Sequence, residues 1–168
     1  MFFAVFGGLW LGLWANDQYP GAVALLLIAS GTALLLAASR RVYKANSPAL
    51  KAIRQTPESR RKSRLFNLIN ALQWSVIILV ALVLSKTGNT RWILPAVIFI
   101  VGLHFLPLAG LFEYRPHYLT GAALIILASV YPLVARDGPE NAMGALGTGL
   151  ILWASAAWAI FSTTREAE

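Results

Sequence analysis

Few side chains in this sequence could do chemistry within an apolar setting. His104 stands inside the apolar run Trp92–Phe112, and Asn67, Asn70 and Gln73 recur at three-residue spacing in the run Leu65–Leu84. That spacing lays the amides along one side of a helix, with Trp74 one turn beyond Asn70. A neutral imidazole donates one hydrogen bond and accepts another, and a primary amide does both. The chemistry within their reach is therefore hydrogen bonding, to one another or to a small polar ligand. An ionisable residue in an apolar span is a candidate functional residue whose partner should be named. Depth names one: Gln73 lies nine residues after Arg64 and His104 nine before Glu113. At 1.5 Å per residue both sit about 13 Å inside a shared boundary, so His104 is expected to bond to Gln73 or Asn70.

Two readings of that pairing stay open. As a bond between helices it contributes about 0.6 kcal/mol, up to about 1.7, and fixes which faces meet. As part of a polar cavity open to the cytoplasm it would bind or pass a small solute, helped by Pro107, which frees the Leu103 carbonyl one turn earlier. Metal and cofactor chemistry is not expected. His104 and His117 have no cysteine or neighbouring carboxylate to complete a ligand set, and two imidazoles alone make a poor metal site. No G-x-S-x-G, H-E-x-x-H or paired intramembrane aspartate is present, so no catalytic residue is assigned. The absence of cysteine also excludes disulfides and thiolate nucleophiles.

The elements that must carry these groups follow from composition. Of the 168 residues 58% are hydrophobic and only 12% charged, outside the range of soluble globular chains. The apolar runs are continuous rather than alternating, which specifies membrane helices and not the strands of an outer-membrane barrel. Six runs stand out: Met1–Ala15, Pro20–Ser39, Leu65–Leu84, Trp92–Phe112, Tyr118–Val134 and Ala142–Phe161. The first is short, about 22 Å of helix against a hydrocarbon core of about 30 Å. It carries Gly8 and Gly12 as a small-xxx-small pair, and Ala22, Ala29, Ala33 and Ala37 form one face of the second run; both are expected to pack against other helices. A third small-residue face joins Gly144, Thr148, Ser155 and Ala159 in the last run. Asn16–Pro20 reads as a turn, with Pro20 opening the next helix.

Nine of the fourteen cations crowd into Arg40–Arg64. Within it Ser47-Pro48 and Thr56-Pro57 each read as a cap followed by proline at the first helical position. The first start gives a short surface helix, with Leu50 and Ile53 on one side and Lys51 and Arg54 on another. The second runs on as one helix from Pro57 to about Ser85. Adding Arg115 and Arg165 makes eleven cations on one side against Lys86, Arg91 and Arg136 on the other, and the positive-inside bias places the eleven in the cytoplasm. The expected fold is thus an all-α bundle of six transmembrane spans with both termini cytoplasmic. It divides into an N-terminal hairpin (1–39), a basic connection (40–64) and a four-helix unit (65–168). The net charge of +7 marks membrane orientation rather than nucleic-acid binding. Arg60, Arg61, Lys62, Arg64, Arg115 and His117 are the expected contacts to anionic lipid headgroups, at about 1 kcal/mol per cation near the surface.

The run Val101-Gly102-Leu103-His104-Phe105-Leu106-Pro107-Leu108-Ala109 resembles a phrase of small multi-spanning bacterial membrane proteins of uncharacterised function. The resemblance covers the third to sixth spans. It implies a bacterial inner-membrane origin and a motif that includes His104 and Pro107, and it implies no activity. The tryptophan- and proline-rich signature of the translocator or tryptophan-rich sensory family is missing. The function expected is that of a non-enzymatic inner-membrane component that binds a partner helix or lipid, as a homo-oligomer or with another membrane subunit. A small-solute carrier or channel using His104, Asn70 and Gln73 is the alternative, and a lipid-modifying enzyme ranks behind both for want of a nucleophile or base.

Overall fold

The structure is a computed structural model that describes residues 1–19, 21–45 and 56–165. Pro20, the Ser47-Pro48 cap and the surface helix expected around Leu50, Lys51, Ile53 and Arg54 lie outside the described residues. Those described form helices and turns, with no strand among them. The helices are α1 (Phe2–Gln18), α2 (Ala22–Ala45), α3 (Pro57–Lys86), α4 (Ile93–Phe112), α5 (Pro116–Val134) and α6 (Met143–Arg165). Short 3-10 turns at Thr90–Trp92 and Gly138–Glu140 precede α4 and α6. Helices are what an apolar chain needs in lipid, because each satisfies its own backbone groups. Among the described residues five helices, α2 to α6, are long and apolar enough to cross a membrane. The chain is therefore a multi-pass helical membrane protein.

Two helix boundaries depart from expectation and a third agrees with it. Helix α1 continues through Asn16, Asp17 and Gln18, and the Tyr19 N–H closes it on the Ala15 carbonyl at 2.8 Å. Its 17 residues make about 26 Å, roughly half a turn more than the apolar run alone. Helix α2 runs through Arg40, Arg41 and Lys44 to Ala45. Arginine and lysine are good helix formers, so change of polarity does not end the helix. Helix α3 begins where Thr56 and Pro57 direct, the Thr56 hydroxyl accepting from the Ser59 N–H at 3.2 Å. Its 30 residues span about 45 Å, more than the thickness of a hydrocarbon core of about 30 Å.

The helices fall into two units. Residues Met1–Gln55 and Ala145–Glu168 make the first, so that α1, α2 and most of α6 belong together; Thr56–Gly144, with α3, α4 and α5, makes the second.

In the first unit Trp153 of α6 is the central wedge. Its indole N–H donates to the Ala4 carbonyl of α1 at 3.2 Å. The ring lies so close to Gly7 of α1 and Gly31 of α2 that a Cβ at either would collide with it. Gly149 of α6 faces Leu11 and the Gly7 carbonyl with a Cβ clearance of 2.5 and 2.9 Å, tighter than any real side chain tolerates. Helix α1 accordingly buries Ala4, Gly7, Leu11 and Ala15. The expected Gly8 and Gly12 pair does not act as one surface: Gly8 meets Thr32 of α2, and Gly12 has nothing within 4 Å.

In the second unit α4 and α5 form an antiparallel hairpin pressed together at Gly102 and Gly121. A Cβ on Gly121 would stand 2.7 Å from the Gly102 carbonyl, and one on Gly102 would stand 3.0 Å from the Gly121 carbonyl. Without a hydrophobic force between helices in lipid, such close approach supplies the packing energy. At the other end of α5, Tyr131 donates to the Pro139 carbonyl at 3.1 Å and its ring fills the space a side chain at position 144 would need.

Replacing Gly121 by leucine should therefore push α4 and α5 apart and lower stability by about 2 kcal/mol. Gly12→Ala, in the open position, should leave stability unchanged or raise it by up to about 1 kcal/mol through helix propensity. Thermal unfolding in detergent distinguishes the two, and equal losses would contradict this packing.

Candidate functional site

The site begins with the turn that joins α4 to α5. Helix α4 tolerates Pro107 and ends at Glu113, which takes a left-handed conformation (φ 53°). The Tyr114 N–H then bonds to the Ala109 carbonyl at 3.1 Å, and the next two N–H groups to turn back, of His117 and Tyr118, bond to the Tyr114 and Arg115 carbonyls. Pro116 occupies the first position of α5, where its fixed φ suits a helix start. The turn is short and its arms are antiparallel, so the start of α5 lies against the last turns of α4. Phe105 of α4 and His117 of α5 have ring centroids 5.7 Å apart. Tyr114 packs edge-on to His117 at 4.9 Å, and His104 edge-on to Phe105 at 5.9 Å.

The four rings form a contiguous cluster at this end of the hairpin. His104 is only 8% exposed, and its Nδ1 is buried with no hydrogen-bond partner among the described residues. The Tyr114 hydroxyl is in the same condition. Buried polar atoms are nearly always bonded, so two such atoms in one cluster mark a place where a water or polar ligand would be stabilised.

Helix α3 meets α4 beside the same turn. Lys62 bonds to Glu113 at 3.3 Å and to Glu58 of its own helix at 3.0 Å, and the Phe66 and Phe112 rings lie 5.9 Å apart. Both carboxylates are exposed, so the pairs orient the helices more than they stabilise them. The expected common level of Arg64 and Glu113 agrees with this register. Asn70 and Gln73 are half-buried and continue the stripe Lys62, Phe66, while Asn67, one position off it, is exposed.

The expected bond from His104 to Gln73 or Asn70 is nevertheless not found among the described residues. Helical geometry accounts for this. Equal depth does not fix how two helices are rotated about their own axes, and that rotation decides which side chains at one level meet.

The basic residues divide. Arg60, Arg61, Arg64 and Arg115 are exposed, and His117 is half-buried in the ring cluster. Lys62 is engaged by two carboxylates, which lessens what it can offer a headgroup. No group of three or more His, Cys, Asp or Glu side chains among the described residues could hold a metal ion. Sequence reasoning missed Tyr114 and Phe105 as site residues. The short turn Glu113–Pro116 signals that α4 and α5 are antiparallel neighbours, but the register that brings Phe105 to His117 is set where Gly102 and Gly121 touch. No protein-family model, curated protein or solved structure matches the chain.

Replacing His104 by leucine removes the unpartnered nitrogen and keeps an apolar side chain of similar bulk. Stability should rise by about 1–3 kcal/mol, the cost of an unbonded buried polar group. A loss of that size in the same thermal assay would show that Nδ1 has a partner that the protein's own residues do not supply.

Proposed function

We propose that the chain is a non-enzymatic component of the bacterial inner membrane, with six spans and both termini in the cytoplasm, that binds a transmembrane partner helix through α2. A second copy of the chain is the partner that this face suits. The observation that carries the reading is the placement of the small residues of α2. Gly31 and Thr32 face Trp153 and Gly8 within the first unit, whereas Ala22, Ala29, Ala33 and Ala37, on the opposite side of the helix, are all exposed. Small residues let helix backbones approach closely, which is of use only against another helix. Helix α2 buries none of its own residues within the chain. Exposed Arg60, Arg61, Arg64 and Arg115 support a role for anionic lipid at the cytoplasmic surface.

A second reading draws on the unpartnered Nδ1 of His104: a small polar solute held or passed at the ring cluster of α4 and α5. On that reading a His104→Leu variant loses solute uptake in proteoliposomes, whereas a helix-binding protein keeps its assembly.

Because the chain has no cysteine, single-cysteine variants report without background. In membranes under mild oxidation, Ala29→Cys and Ala33→Cys should give a disulfide-linked dimer. Leu34→Cys, about 100° round the helix from position 33, should not. Monomer at all three positions, or equal dimer at all three, would remove the proposal.

A further inference from the structure

On the side of α2 away from the alanine face, where it meets α1, lies an apolar groove of about 670 Å³ lined by Trp14, Gln18, Tyr19, Val23, Ala24 and Leu27 among others. That volume is within the range of sites for drug-sized ligands, about 300–1,000 Å³. Trp14 and Tyr19 stand at one end of it with ring centroids 5.4 Å apart and planes inclined at 68°, so two aromatic surfaces of different orientation border the same space. Tyr19 is 58% exposed, which leaves its ring accessible.

From Met1 to Ser39 the sequence contains a single charged side chain, Asp17. It is exposed, and it neighbours the lining residue Gln18, whose amide donates to its carboxylate at 2.8 Å. The nearest cation along α2 is Arg40, eighteen residues beyond Ala22 and about 27 Å away along the helix. A carboxylate with no ion pair among the described residues, two ring faces and an apolar trough complement one kind of ligand. Ring faces attract cations, more strongly when water is excluded, and the trough demands apolar bulk. A two-chain phospholipid is larger than the trough, and an inorganic cation would leave its apolar walls uncovered.

We infer that the groove between α1 and α2 is a binding site for a drug-sized hydrophobic cation, taken up against the Trp14 and Tyr19 rings, with the Asp17 carboxylate adjoining the groove through Gln18. The inference does not depend on self-association, which uses the opposite face of α2.

The test compares tetraphenylphosphonium with tetraphenylborate, ions of the same shape and opposite charge, by equilibrium dialysis against the full chain in a neutral detergent. Saturable binding of one tetraphenylphosphonium per chain, not displaced by tetraphenylborate, is the expected result. Asp17→Asn and Tyr19→Leu, both at exposed positions, should each weaken binding about two- to fivefold. Leu27→Trp fills the trough from an exposed position and should abolish binding, while Leu34→Trp, equally exposed but outside the groove, should leave it unchanged. Equal binding of the two ions, no saturation, or full binding by the Leu27→Trp variant would overturn the assignment.

Discussion

In lipid, apolar side chains gain nothing by leaving one surrounding for another, so helices associate only where their shapes allow dense contact. The first unit meets this constraint by placing one large ring against missing side chains. Trp153 reaches between α1 and α2 because Gly7 and Gly31 leave room, and its N–H is satisfied by the Ala4 carbonyl rather than by water. The second unit meets it with backbone, at Gly102 and Gly121, where two helices touch without side chains between them. Everything else in each unit is arranged around these contacts, including which faces are left for lipid.

The ring cluster at the turn of α4 and α5 is a consequence of the second contact. Once Gly102 and Gly121 set the register and Glu113 reverses the chain, Phe105 and His117 must meet, and Tyr114 is drawn over them. A polar group beside such a cluster is costly unless bonded, and His104 carries that cost in the structure as it stands. The site is therefore defined less by a set of ligating side chains than by one nitrogen and one hydroxyl without counterparts inside the protein.

Much of the architecture was legible because its causes are local. Continuous apolar runs specify helices, Thr56-Pro57 specifies where α3 starts, and the Glu113–Pro116 stretch specifies a tight reversal. What was not legible depended on azimuth and on partners far along the chain. The use of Gly7 is set by Trp153, some 146 positions later, and that of Gly8 by Thr32, while Gly12 is left open. A stripe at three- and four-residue spacing, Ala4, Gly7, Leu11 and Ala15, was present but could not be told from its neighbours in a run where nearly every residue is apolar. His104 could be placed at the depth of Gln73 by counting, yet counting along two helices says nothing about their relative rotation. Asn70 and Gln73 are therefore half-buried at the depth of the imidazole with no bond to it among the described residues.

The continuation of α2 past its apolar span gives that helix a rigid, charged end. Arg40 and Lys44 are one turn apart, and helical phase sets both on the side of Ala29, Ala33 and Ala37. Two parallel copies joined along the alanines would thus bring four like charges into one small space at the membrane surface. Repulsion of that kind is relieved when anionic headgroups collect between the cations and act as counter-ions common to both copies. The lipid composition of one leaflet would then set the oligomeric state, with acidic phospholipid serving as a component of the seam rather than as its solvent.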